Sequence, residues 1–387
     1  MTVTCATPSP RNSSSPPAMN PSYLDWNATA PAWSAVADAV AAALSVGGNP
    51  SSVHRGGRAA RKLVNEARDA VAALVNTSPD SVVFTSGGTE ANALSLSGFP
   101  GRRVIASAIE HASALGAAND IVIIPVRDDG LADLGALDAM LKSDPRPAIV
   151  SLMLANNETG VVQDVAEAAR IAHRHGALIH TDAIQAPGRI AVDVRVLDVD
   201  LMTISAHKIG GPMGVGALIV RGDLPITALI KGGGQERGRR GGTENVPGIA
   251  GFGVAARLAA EALRSAPTIA ALRDNAQRRL MALAPDATVF GAKVSRLPNT
   301  LSIAMPRVAS STQVIALDLA GVMVSAGSAC SSGKVERSHV LDAMGVPREI
   351  AQGAIRISLG HTTTTADIDR LVEAWGALYA RTRVSAA

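Results

Sequence analysis

The sequence is poor in aromatic rings: four Phe, three Trp and two Tyr make up 2% of 387 residues. Proteins that stack nucleic-acid bases need rows of such rings, so that class of function is disfavoured. Cysteine is scarcer still. Cys5 and Cys330 stand too far apart to suggest a disulfide framework, which points to a reducing, cytoplasmic setting and leaves Cys330 to be judged by its reactivity. Charge of either sign is modest: 36 Lys and Arg against 33 Asp and Glu leave +3, no signature of a nucleic-acid partner. No run approaches the roughly 18 uninterrupted apolar residues of a spanning helix, and the Ala-rich run 35–46 carries Asp38, so a soluble protein with no membrane partner is expected. No metal site is assigned.

What is present is a chain that is 47% hydrophobic and long enough for two domains at about 150 residues each. Residues 1–20 are rich in Ser and Pro and lack acids, which reads as a disordered tail and not a secretory signal. Beyond them, short apolar runs recur at 82–85, 104–106, 121–126, 149–154, 177–180, 201–205 and 217–220, separated by stretches of helical periodicity. Continuous apolar strands alternating with helices predict an α/β fold, a mainly parallel sheet covered on both faces. Such a sheet offers ligands the carboxyl ends of its strands. A glycine-rich stretch over 231–253 precedes a helical one over 254–284 that leads towards a smaller C-terminal domain.

Two constellations carry chemistry. Thr85-Ser86-Gly87-Gly88-Thr89-Glu90 follows a strand and opens a helix near Ala91; glycines, hydroxyls and a helix N-terminus together suit a phosphate. It is neither Gly-x-Gly-x-x-Gly nor a Walker sequence, which disfavours dinucleotides and nucleoside triphosphates; an ordinary N-capped helix is the plainer alternative. Asp182 and Lys208 each lie just beyond a strand. A lysine that forms a Schiff base and an aspartate that pairs with a pyridinium nitrogen are what pyridoxal phosphate requires.

The chain also resembles a known family. Tyr23-Leu24-Asp25-Trp26-Asn27-Ala28-Thr29-Ala30-Pro31, Asn49-Pro50-Ser51-Ser52-Val53-His54, Thr85 through Glu90, Glu110-His111, Asn156-Asn157-Glu158-Thr159-Gly160, Ser205-Ala206-His207-Lys208, Arg240-Gly241-Gly242-Thr243-Glu244-Asn245, Gly327-Ser328-Ala329-Cys330 and Arg356-Ile357-Ser358-Leu359-Gly360 occur in family order. Together they are similar to the cysteine desulfurases of the class V aminotransferase, fold-type I family of pyridoxal-phosphate enzymes. The resemblance implies a large cofactor-binding domain over 34–262 and a small α+β domain from 21–33 plus 263–387. Lys208 would hold pyridoxal 5'-phosphate, Asp182 would keep its ring nitrogen protonated, Gln185 would bond its phenolic oxygen and His111 would stack on the ring. Gly88, Thr89, Ser205 and His207 would bind the phosphate, with Thr243 reaching it from the partner subunit of a homodimer. Asn157 and Arg356 would take the carboxylate of L-cysteine, and Cys330 would receive its sulfur.

The form Gly-Ser-Ala-Cys-Ser-Ser-Gly-Lys is similar to the longer-loop branch that usually serves iron–sulfur scaffold proteins. Plainer roles exist for single residues: His111 or Thr243 as caps, His207 as structural, Arg356 in an ion pair, Cys330 as a small hydrophobe. The same set also admits a selenocysteine lyase, an aminotransferase for another amino acid, a silent sulfur-transfer scaffold, or an RNA binder built on the Arg-Gly tract. Gly210, Met213 and Ala30 depart from the family, whose members often carry Tyr, Lys and Thr there.

Overall fold

The computed structural model describes residues 21–327 and 337–384. Cys330, Cys5 and the tail reading of 1–20 lie outside the described residues. Strand β1 (Ser22–Tyr23) is followed by the seven runs foreseen from hydrophobicity: β2 (Val82–Thr85), β3 (Arg103–Ser107), β4 (Ile121–Ile124), β5 (Ala148–Ser151), β6 (Leu178–Asp182), β7 (Leu201–Ser205) and β8 (Gly216–Val220). These seven form one sheet in the order β2-β8-β7-β6-β5-β3-β4. β8 runs antiparallel to both neighbours, and every other pairing is parallel. The mainly parallel α/β sheet is therefore as expected.

Alternation along each strand divides the core in two. Phe84, Ile105, Val150, Ile179, Met202 and Ile219 face one apolar cluster, whereas Val83, Val104, Ile149, Leu201 and Leu218 face another. A sheet that buries both faces needs apolar residues at every position, which is why these strands show no polar alternation. Helices α1 (Ser34–Val46) and α2 (Arg55–Leu74) contribute Val36, Val64 and Val71 to the first cluster, and α3 (Gly88–Ser97) contributes Ala91 and Leu94 to the second.

The glycine-rich stretch does not stay a loop. A helix begins at Val246, earlier than periodicity indicated, with the Asn245 side chain accepting the Gly248 N–H and Pro247 in its first turn. Its glycines permit close packing: a Cβ at Gly253 would lie 2.5 Å from the Cα of Ala67 in α2. The helix ends at Ala262, a single tight turn spans Leu263–Ser265, and a second helix covers Ala266–Leu283. Together Val246–Leu283 is long and apolar enough to cross a membrane by length and composition, yet half of its most apolar window is buried inside this protein.

Beyond it, β9 (Thr288–Val289), β10 (Thr300–Ala304), β11 (Val322–Met323), β12 (Ser325–Ala326) and β13 (Ala354–Ser358) complete the strands. β12, β13, β10 and β9 make an antiparallel sheet, and β11 pairs with β1. Leu301, Ile303, Ile355, Ile357 and Trp375 share a further core with Leu24, so the N-terminal segment packs with this C-terminal unit.

Candidate active site

β2, β6 and β7 run the same way, and Gly216 of β8 pairs with both Thr85 and Ser205, so their carboxyl ends meet at one edge of the sheet. A cavity of about 300 Å³ opens there. Its lining includes Gly88, Thr89, His111, Asn157, Asp182, Gln185, Ser205, His207, Lys208 and Arg356, residues that lie far apart in the chain. Thr243 is exposed and does not line the cavity of its own chain.

Asp182 ends β6 and is 4% exposed. Its carboxylate accepts hydrogen bonds from Asn92 Nδ2 at 2.8 Å and from the Ile184 N–H at 2.9 Å. Burial pushes its carboxyl above the usual range, against the pull of Asn92, Ile184, His111 and Lys208. Lys208 sits in the tight turn after β7, its Nζ donating to the carbonyls of Asn27 and Ala28, both at 2.7 Å.

Helix α3 starts at Gly88, not at Ala91, so Gly88 and Thr89 belong to its first turn and direct N–H groups at the cavity's edge. Glu90 in that turn reaches back to accept the Ser86 N–H at 2.8 Å and pairs with Arg240 at 3.0 Å. A Cβ at Gly88 would lie 2.2 Å from Ile184 Cδ1, so a larger residue there would have to push the Ile184 side chain aside.

His111 caps the short helix α4 (Ala112–Leu115), its Nδ1 accepting the Ser113 N–H at 3.1 Å, so the plainer capping role is present while the ring lines the cavity. His207 contacts Thr29 Oγ1 through Nδ1 at 3.3 Å; burial, then the charges of Lys208 and Arg189, hold it at about 4, a neutral ring at neutral pH. Arg356 does form an ion pair: Nη2 meets Asp25 Oδ1 at 2.7 Å and Nη1 donates to the Asn157 carbonyl at 3.1 Å. Its buried Nε has no partner among the described residues.

Sequence reasoning assigned no role to Asn27, Asn92 or Arg189. Asn27 is 1% exposed; its carbonyl accepts from Lys208 and from Gln185 Nε2, and its amide donates to Thr300 Oγ1 and the Asn157 carbonyl. The Trp-Asn-Ala-Thr motif was the available signal. The departure at Gly210 has a local reason: at φ +79° a Cβ there would meet the Trp33 ring at 2.5 Å, so Trp33 occupies the room a larger residue would need. Gly360 is similarly dictated, because a Cβ there would lie 2.0 Å from the Trp26 ring.

The Arg-Gly tract is engaged with its own chain. Glu236, at φ +46°, is buried, pairs with Arg68 at 2.7 Å and accepts the Phe84 N–H at 2.9 Å. Arg237 pairs with Asp80, Arg239 donates to the Gly222 carbonyl and Arg240 meets Glu90. The loop thereby clamps the cradle that follows β2.

A chain of buried polar groups lies behind Asp182. Glu110 accepts from the Met153 N–H at 2.6 Å and from Ser151 Oγ at 3.3 Å; Ser151 Oγ meets His180 Nδ1 at 3.0 Å, and His180 Nε2 meets Thr203 Oγ1 at 2.9 Å. Burial, helped by the Asp182 charge, raises Glu110 to about 8. Burial alone lowers His180 from 6.5 to about 3. Unfolded chain takes up a proton at His180 where folded chain does not, so this stabilisation is complete above pH 6.5 and drains as pH falls towards 3. By pH 4 the loss amounts to about 3 kcal/mol. Urea midpoints measured from pH 7 to 4 should therefore fall less steeply for His180→Asn than for the unmodified protein; equal slopes would contradict a buried neutral His180.

Fold and site together define an α/β enzyme in which an amine, a carboxylate and a helix N-terminus line one cavity. Residues 22–371 match the aminotransferase class-V family model. A cysteine desulfurase of Cereibacter sphaeroides is 46% identical over 84% of this chain and 87% of its own. The cysteine desulfurase IscS of Dictyoglomus turgidum is 40% identical over 90% and 91%. Among solved structures, the NifS-like protein from Rickettsia africae superposes with a TM-score of 0.86 at 38% identity, covering 93% of this chain and 99% of that one. The chain belongs to the aminotransferase class-V family, within its cysteine desulfurases.

Proposed function

We propose that this enzyme removes sulfur from L-cysteine with pyridoxal 5'-phosphate held in the cavity, releasing L-alanine and leaving the sulfur as a persulfide on Cys330. The observation that carries this reading is the placement of Lys208 and Asp182 on one cavity whose edge is the N-terminus of α3. The donor set fits the cofactor. Gly88, Thr89, Ser205 and His207 offer N–H and hydroxyl groups to a phosphate, and Asp182 offers a buried carboxylate whose raised affinity for a proton suits a protonated ring nitrogen. Bound there, the cofactor supplies an electron sink for the bond broken at the substrate's α-carbon.

The protein's residues do the rest. Lys208 would be the group that holds the cofactor and the amine that removes the substrate's α-proton. Arg356 and Asn157, both on the cavity wall, hold the substrate carboxylate. The Cys330 thiolate attacks the substrate sulfur; the new S–S bond forms as the C–S bond breaks, its electron pair passing to the β-carbon, which takes up a proton. His111, lining the cavity, carries the thiol proton. Cysteine and the Cys330 thiol thus become alanine and a persulfide, with no outside oxidant.

Exposure of Thr243 is what a residue serving the partner's cavity in a homodimer requires. The persulfide would be delivered to an iron–sulfur scaffold or another sulfur acceptor in the cytoplasm, a destination that rests on the sequence around Cys330 and on kinship with an IscS protein.

Incubation with L-cysteine and a thiol reductant tests the reaction: alanine and sulfide should appear in equal amounts without a keto acid. Pyruvate in place of alanine, or a requirement for a keto acid, would contradict it. Arg356→Lys keeps the charge but loses the planar fork, and should raise the KM for cysteine about tenfold or more while leaving cofactor absorbance intact. An unchanged KM would remove Arg356 from substrate binding.

A further inference from the structure

Arg189 is 9% exposed, and among the described residues no carboxylate pairs with it. Its contacts are carbonyl oxygens: Nη1 donates to the Gln185 main-chain carbonyl at 3.0 Å and to Gln185 Oε1, and Nη2 donates to the Trp26 carbonyl at 3.1 Å. Burying a cation without a counter-charge is costly, and burial is what lowers its proton affinity, to about 9. A guanidinium only donates, so the oxygen of the Gln185 amide must face Arg189 and its nitrogen must face the other way. That nitrogen donates at 3.1 Å to the Asn27 carbonyl, which also accepts Lys208 Nζ. Gln185 is thereby fixed as a donor towards the cavity.

We propose that Arg189 is a positioning residue: by locking the Gln185 amide it presents an N–H to the cofactor's phenolic oxygen, and so sets the proton affinity of the Lys208–cofactor linkage. This deepens the function proposed above and rests on it. A hydrogen bond donated to the phenolic oxygen favours the anionic oxygen and hence the deprotonated linkage. Other titratable groups stand nearby: Asp182 from β6, His111 from the start of α4, His207 beside Lys208 and Arg356 from β13 line the cavity, with Asp25 paired to Arg356 and Glu110 buried behind Asp182. None of them touches the Gln185 amide oxygen, which Arg189 holds while the Asn27 carbonyl holds the nitrogen.

Visible absorbance of the holoenzyme, titrated with pH without substrate, reads the effect. Arg189→Met, or Arg189→Leu should the Met variant fold poorly, should raise the midpoint by about one pH unit. Arg189→Lys, which still donates, should stay within a few tenths of the unmodified protein. Gln185→Ala should raise the midpoint too, and adding Arg189→Met to it should bring no further rise. An unmoved midpoint in the Met or Leu variant, or additive shifts in the double variant, would overturn the proposal. Absence of any cofactor band in the unmodified protein would instead overturn the cofactor assignment, and the Arg189 proposal with it.

Discussion

Lys208→Ala is expected to yield a folded protein without the visible band of a lysine-bound cofactor and with turnover of cysteine reduced about 10⁴-fold or more. The size of the effect follows from the double duty of one amine, as attachment point and as the base for the α-proton. Lys208 is the lysine that lines the cavity, and the Asn27 and Ala28 carbonyls hold its Nζ at 2.7 Å. Added methylamine should restore a fraction of the lost rate, because it supplies the missing base without the tether. Retention of both band and turnover in the variant would refute the assignment, whatever the sequence similarity.

Cys330→Ser should separate binding from sulfur transfer. The variant should take up cofactor and cysteine with unaltered spectra, yet form alanine at least about 10³-fold more slowly, since a hydroxyl lacks the nucleophilicity of a thiolate towards sulfur. The described residues on either side of the segment that carries Cys330 meet one carboxyl group. Ser338 Oγ donates to Glu158 Oε2 at 2.5 Å, and a Cβ added at Gly327 would lie 3.0 Å from the same oxygen. Glu158 adjoins Asn157 of the cavity wall, which brings both flanks beside the substrate carboxylate's proposed binding group. Normal alanine and sulfide formation by Cys330→Ser would remove this residue from the reaction.

Much of the fold was legible because the physics is local. Seven apolar runs gave seven strands of one sheet, and since parallel strands put their carboxyl ends together, Asp182 and Lys208 could be expected to share a crevice. What escaped notice depends on partners distant in sequence. The helix from Val246 carries Gly248, Gly251 and Gly253, which look like a loop until α1 and α2 are packed against it. The 149–154 run was expected to be all strand, but ladder pairing stops at Ser151, and Met153 turns into the cavity wall. Asn92, on α3, supports Asp182 across a sequence gap that no motif bridges. Arg189 looks like a surface residue after a Pro-Gly turn, and only its carbonyl partners reveal a buried cation. Arg356 was weighed as either an ion-pair member or a substrate ligand; the pair with Asp25 is present, and Arg356 also lines the cavity.

The central claim is that one ring is gripped at its two ends by residues 208 and 182. Borohydride reduction of the purified holoenzyme, followed by proteolysis and mass spectrometry, tests it most directly. The account predicts a single phosphopyridoxyl adduct on the peptide containing Lys208, formed to about one per chain; an adduct on another lysine, or none, would contradict it.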